Sequence, residues 1–83
     1  TVSVVEVYWF DDTGEGECRV PQSWRVLYWE GDQWKPVENL TPYPVARDTY
    51  CRVEFKPVTT TGLRLEIQAQ KDFAAGVLEW KVR

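Results

Sequence analysis

The stretch SWRVLYWEGDQWKPV, residues 23–37, decides the fold class of this chain. Its first seven residues alternate between two faces, which is the period of two expected of a β-strand. The segment Glu30-Gly31-Asp32 then supplies a tight reversal before a second, shorter run. The stretch therefore predicts a β-hairpin, with Pro36 at an edge or a strand end and Trp34 packed in the core.

Other segments of the chain show the same period of two on either side of this hairpin. One runs from about Ser3 to Phe10, and the later ones lie around Cys51–Phe55, Leu63–Ile67 and Leu78–Val82. Loops rich in Gly, Pro and Asp separate them. About six strands with regular turns predict an all-β fold, an antiparallel β-sandwich or barrel, in which residues 1–83 form a single domain or a fragment of one.

The composition of the chain favours pleated sheets and argues against several classes of function. Five Trp and four Tyr accompany many Val and Thr, whereas Met and His are absent. The formal net charge is −3 and the basic residues are scattered, which argues against a nucleic-acid partner. No apolar run approaches the roughly 20 residues that span a bilayer, so we expect no membrane partner.

Two cysteines, Cys18 and Cys51, leave the redox state of the chain open. They fit no structural zinc spacing, because such a site needs four thiol or imidazole ligands. A disulfide between them would favour an oxidising compartment, and the alternative is two free, partly buried thiols.

The loop after the first strand carries four carboxylates around two glycines. Hard oxygen ligands in such a loop could hold Ca²⁺, and the alternative is a solvated loop without a cofactor. A flexible glycine loop does not hold two carboxylates at the fixed separation that glycoside hydrolysis needs, so no catalytic residue is predicted here. The candidate calcium ligands are Asp11, Asp12, Glu15 and Glu17.

Aromatic residues outside the apolar phases of the strands are candidates for sugar binding, because sugar C–H bonds pack well against aromatic faces. Arg64, on the outward phase of its strand, is expected to form a structural ion pair, and the alternative is a ligand for a substrate carboxylate. The candidates for carbohydrate contact are Trp29, Tyr43, Tyr50 and Phe73. The tryptophans expected in the core are Trp9, Trp24, Trp34 and Trp80.

Several segments resemble a known class of domain. SWRVLYWEGDQW at residues 23–34, LRLEI at 63–67 and GVLEWKV at 76–82 are similar to strands of discoidin-like, galactose-binding-like β-sandwiches. More specifically, VEVYWFDDTG at residues 5–14, with CRVP at 18–21, looks like the C-terminal accessory domain of large bacterial glycoside hydrolases, the β-L-arabinofuranosidase group. Cys51 departs from the resemblance, since Asn is commoner there.

The resemblance implies a jelly-roll of about eight strands, of which this chain looks like the second half. It also implies a non-catalytic module, with the catalytic domain of a parent enzyme and a plant-type glycan as partners. We expect a periplasmic or extracellular location for such a module. The alternative is a purely structural or protein-interaction sandwich, whose exposed strand edges associate with another chain.

Overall fold

All six segments with alternating apolar residues form β-strands in the computed structural model, which describes all 83 residues. The predicted hairpin is present as the second and third strands. The strands are β1 (Val2–Phe10), β2 (Ser23–Glu30), β3 (Gln33–Pro36), β4 (Tyr50–Val58), β5 (Leu63–Gln68) and β6 (Gly76–Val82).

The six strands form two three-stranded sheets. The first sheet has the order β4-β1-β6 and the second sheet has the order β3-β2-β5, and every strand pairing within them is antiparallel. No strand is followed by a helix, and the structure contains no helix that could span a membrane. The predicted all-β fold with two antiparallel sheets is therefore confirmed, and it is consistent with a β-sandwich.

The hairpin of β2 and β3 closes through the two-residue loop Gly31-Asp32. Gly31 has a φ of 66°, in the left-handed region that glycine adopts without the steric cost of a Cβ. A two-residue loop fixes the register of the strands, so that Glu30 lies opposite Gln33 and the next pair follows from it. This register places the tryptophans of β2 and β3 directly opposite each other.

The core lies between the two sheets and draws mainly on their middle strands. Trp9 from β1 and Trp24 from β2 meet edge to face, with ring centroids 5.4 Å apart and an interplanar angle of 73°. Core-facing residues of β4 complete the contribution of the first sheet to the core. The buried cluster comprises Val5, Val7, Trp9, Trp24, Val26, Val37, Cys51, Val53 and Phe55.

Two tryptophans that the apolar phase assigned to the core are exposed instead. Trp34 is 38% exposed and Trp80 is 40% exposed. Trp34 pairs with an outward residue of β2 and therefore points away from the core. Trp80 lies opposite the buried Val7, so it is on the core-facing side, but β6 is an edge strand and the second sheet does not cover it.

The two cysteines are free thiols, and no disulfide joins them. The Cys18 thiol is half-buried and donates to the carbonyl oxygen of Phe10 at 3.5 Å. The buried Cys51 thiol donates to the carbonyl oxygen of Ala46 at 3.7 Å. Each thiol therefore serves the packing of its own segment.

Truncation of Phe55 tests the placement of the core. Phe55 is only 1% exposed, so Phe55→Ala is expected to lower the free energy of unfolding by about 3–5 kcal/mol through lost burial and the cavity that remains. Val82→Ala, on the exposed edge strand, should change it by less than about 1 kcal/mol. Urea denaturation of the three proteins measures both values, and equal losses would contradict this core.

Candidate functional site

An exposed pair of tryptophans lies on the outer face of the second sheet. Trp29 of β2 and Trp34 of β3 are directly opposite each other, with ring centroids 5.2 Å apart and an interplanar angle of 71°. Their side chains are 37% and 38% exposed. We call them the aromatic pair, and they present two large apolar surfaces to solvent where β2 and β3 approach their turn.

The loop that leads into β5 holds this pair in place from the other side of β2. The Trp29 amide donates to the Gly62 carbonyl at 3.1 Å, and the Thr60 hydroxyl donates to the Trp29 carbonyl at 2.7 Å. Gly62 also leaves space for the neighbouring ring, because a Cβ added there would lie only 3.3 Å from Trp34 Cη2. The backbone on both sides of β2 therefore fixes the aromatic pair.

Arg64 lies beside the aromatic pair and is not in an ion pair. Its guanidinium carbon is 5.9 Å from the centre of the Trp34 ring, within the range of a cation–π contact. No carboxylate oxygen lies within 4.0 Å of its nitrogens. The prediction of an ion pair for Arg64 is wrong, because the neighbouring Glu66 is bonded to another arginine.

Polar side chains continue the outer face beyond Arg64. Arg25 Nε donates to Glu66 Oε1 at 2.7 Å, and this bond lowers the pKa of the Glu66 carboxyl and raises the pKa of Arg25. Farther along, the Ser23 hydroxyl lies 3.4 Å from Gln68 Oε1. A groove of about 370 Å³ is lined by these four residues together with Trp24 and Ile67. The face therefore combines aromatic rings with planar polar groups in one row.

Leu27 lies between the aromatic pair and the polar side chains on the outer face. It lies opposite Pro36 of β3 and Arg64 of β5, on the outward phase of β2. Although its phase is outward, Leu27 is only 5% exposed and does not belong to the buried core cluster. The middle of the outer face is therefore filled by a packed apolar side chain.

Tyr43, a predicted sugar-binding residue, has a structural role. Its ring packs edge to face on Trp24 with centroids 4.9 Å apart, and its hydroxyl accepts the Val26 amide at 3.1 Å. The neighbouring Pro44 carbonyl accepts the Trp24 indole N–H at 2.8 Å. The long loop after β3 therefore closes one side of the core, and Tyr43 does not join the aromatic pair.

The other two predicted aromatic residues also lie apart from Trp29. Tyr50, on the first sheet, packs edge to face on Tyr8 with centroids 5.3 Å apart, and Lys81 Nζ lies 4.6 Å from the centre of its ring. Phe73, in the loop before β6, lies under the Arg19 guanidinium, whose carbon is 4.4 Å from the ring centre. Only Trp29 of the four predicted residues is thus in the candidate site.

Trp34 is a site residue that the strand pattern assigned to the core, although the length of the turn gives its true position. A two-residue turn at Gly31-Asp32 pairs Glu30 with Gln33 and then Trp29 with Trp34. Directly opposite residues share one face of a sheet. An exposed Trp29 therefore implies an exposed Trp34.

Asp11, in the acidic loop, is bonded to the loop's own backbone. Its carboxylate accepts the Thr13 amide at 3.0 Å and the Val20 amide at 3.1 Å, and the Arg47 guanidinium lies 3.4 Å away. The Thr13 hydroxyl donates to it as well. These hydrogen bonds, led by that of the Thr13 hydroxyl, lower the pKa of Asp11 to about 2.

Asp12 is bonded inward in the same way, since its carboxylate accepts the Cys18 amide at 2.7 Å and pairs with Arg19 at 3.4 Å. No group of three or more His, Cys, Asp or Glu side chains is arranged to hold a metal ion. The structure therefore does not bring the candidate calcium ligands together as one site. These candidates are Asp11, Asp12, Glu15 and Glu17.

The role of Asp11 predicts a pH-dependent contribution to stability. Because its pKa is lowered in the folded state, the contribution is complete above the ordinary value of 3.8 and is lost as the pH falls through about 2. Asp11→Asn should therefore be less stable than wild type at pH 7, and the difference should shrink as the pH falls from 3.8 through about 2.

Urea denaturation at several pH values measures this difference, with Glu15→Gln as the control. The Glu15 carboxylate accepts no hydrogen bond from the loop, so this variant should follow the wild type throughout. A pH-independent deficit for Asp11→Asn would show that its ionisation does not stabilise the loop.

No protein-family model matches the chain, and no solved structure matches it either. A function for the chain is therefore inferred from three features of the outer face: the exposed aromatic pair, the arginine beside it and the row of polar side chains. These features lie on the outward side chains of all three strands of the second sheet.

Proposed function

We propose that this chain is a non-catalytic, carbohydrate-binding accessory module of a glycoside hydrolase, and that it binds glycan on the outer face of the second sheet. The observation that carries the proposal is the exposed aromatic pair, Trp29 and Trp34. Sugar rings present C–H bonds on their faces, and these pack favourably on indole rings. A fixed pair of such rings offers that contact without the entropic cost of ordering it.

The polar residues on the same face suit the hydroxyl groups of a sugar. The groove over Arg25 and Glu66 supplies both donors and acceptors, and Ser23 and Gln68 extend it. From Ser23 to Trp29 the strand rises about 20 Å. The face is therefore long enough for an oligosaccharide rather than a single sugar.

The carboxylates near this face favour binding over catalysis. Glu66 is held by Arg25, and Glu30 is held by Lys35 at 2.8 Å. Glycoside hydrolysis needs one carboxylic acid with a raised pKa, whereas these partners lower the pKa of both carboxyls. With the resemblance to accessory domains of glycoside hydrolases, this supports a module that serves a separate catalytic domain.

The jelly-roll, galactose-binding-like form of the sandwich is also part of the proposal. Support comes from β6, where Trp80 and Val82 lie on the core-facing side and remain exposed, with Leu78 exposed beside them. Further strands of a larger jelly-roll would cover these apolar residues. The same observation favours the second candidate function, a structural module whose β6 edge associates with another chain and which has no sugar affinity.

Tryptophan variants separate the two functions. Titration calorimetry with oligosaccharides of arabinan, galactan and pectin should detect binding to wild type. Trp29→Ala and Trp34→Ala should each weaken it about tenfold or more, because an aromatic contact surface is lost. Trp80→Ala removes an equally exposed tryptophan from the first sheet and should leave binding unchanged.

Thermal unfolding of each variant accompanies the titrations, so that a loss of binding is interpreted only for a folded protein. Absence of heat with every oligosaccharide at millimolar concentration would overturn the proposed function and favour the structural module. Loss of binding in Trp80→Ala alone would move the site to the β6 edge.

A further inference from the structure

The lack of a carboxylate partner distinguishes Arg64 from every other arginine in the chain. Five of the six arginines have a carboxylate oxygen within 4.0 Å, and Arg64 has none. Its side chain is exposed, and its guanidinium stands next to the ring of Trp34. A guanidinium without a carboxylate partner is thus available to a ligand at the edge of the aromatic pair.

Arg64 lies on the edge strand β5, midway along the outer face. Its register partner Leu27 is two residues from Trp29 in one direction and two residues from Arg25 in the other. Successive outward residues on a strand are about 6.6 Å apart. A ligand that covers both the aromatic pair and the polar groove therefore passes over Leu27 and next to Arg64.

The outer face also has a charge opposite to that of the whole chain. The outer face has a net charge of +1, from Arg25, Arg64 and Glu66, whereas the formal charge of the chain is −3. At the turn, Glu30 and Lys35 neutralise each other. The face thus favours an anionic ligand, in contrast to the protein as a whole.

We propose that this face recognises a glycan that contains uronic acid, and that Arg64 is the residue that determines this specificity. The inference rests on the proposed carbohydrate-binding function and adds the substrate class. The planar guanidinium matches a carboxylate through two parallel N–H···O bonds, while the adjoining indole ring supports the sugar that carries it.

A nucleic acid is a poorer match for the same surface. Phosphate backbones are bound through several unpaired cations in a row, and the outer face offers one. One free guanidinium beside two indole rings instead suits a single carboxylate on a ring with apolar C–H faces.

The test compares tetragalacturonate with its fully methyl-esterified form, which keeps the sugar chain and removes the charge. In titration calorimetry at low salt, wild type should bind the acid form about tenfold more tightly than the ester. Added salt should weaken binding of the acid form and leave that of the ester unchanged, because an exposed ion pair is screened.

Variants then assign the preference to Arg64. Arg64→Gln should bind both forms with the affinity that wild type has for the ester, and Arg64→Lys should retain part of the preference. Arg52→Gln removes a similarly exposed arginine from the first sheet and should keep the full preference. Circular dichroism confirms that each variant is folded.

The two proposals fail in different ways. Equal affinities of wild type for acid and ester would overturn the uronate inference and leave the carbohydrate-binding function standing. A preference that survives in folded Arg64→Gln would overturn the role of Arg64. No binding of either form, nor of any neutral oligosaccharide, would overturn the proposed function itself. The comparison of acid with ester uses only wild type, so it decides the substrate class even where a variant fails to fold.

Discussion

The contact between Trp9 and Trp24 is the interaction on which the rest of the structure depends. It joins the middle strand of one sheet to the middle strand of the other, and its edge-to-face geometry suits the ring quadrupoles. The Trp9 indole N–H has no hydrogen-bond partner, which costs about 1–3 kcal/mol. Burial of about 150–250 Å² for each ring contributes more, about 4–6 kcal/mol per ring, so the contact is favourable overall.

This inward contact also determines the outward face. Because side chains alternate along β2, burial of Trp24 requires Arg25, Leu27 and Trp29 to point away from the core. Because the two-residue turn fixes the register of β3, Trp34 lies opposite Trp29 on the same outward face and is exposed. The aromatic pair is thus a consequence of core packing, and it sits on a strand that is bonded on both sides.

The sequence pattern predicts which segments are strands, but not what covers each of their faces. A period of two identifies six strands and the hairpin, because alternation depends only on neighbouring residues. It does not show how far the opposite sheet extends, so Trp80 on the edge strand β6 was expected in the core although the second sheet leaves it uncovered. The pattern also does not show that Arg64 lacks an ion-pair partner, because that depends on the bond between Glu66 and Arg25 on neighbouring strands. The turn length, taken together with the outward phase of Trp29, places Trp34 correctly.

Binding of glycan to the outer face of the second sheet can be tested by NMR spectra of the five indole N–H groups. Titration of ¹⁵N-labelled protein with tetragalacturonate or galactotetraose should shift the indole signals of Trp29 and Trp34. The signals of the buried Trp9 and Trp24 and of Trp80 on the first sheet should stay in place. Shifts confined to Trp80, or unchanged signals for the aromatic pair while the ligand binds, would contradict the account.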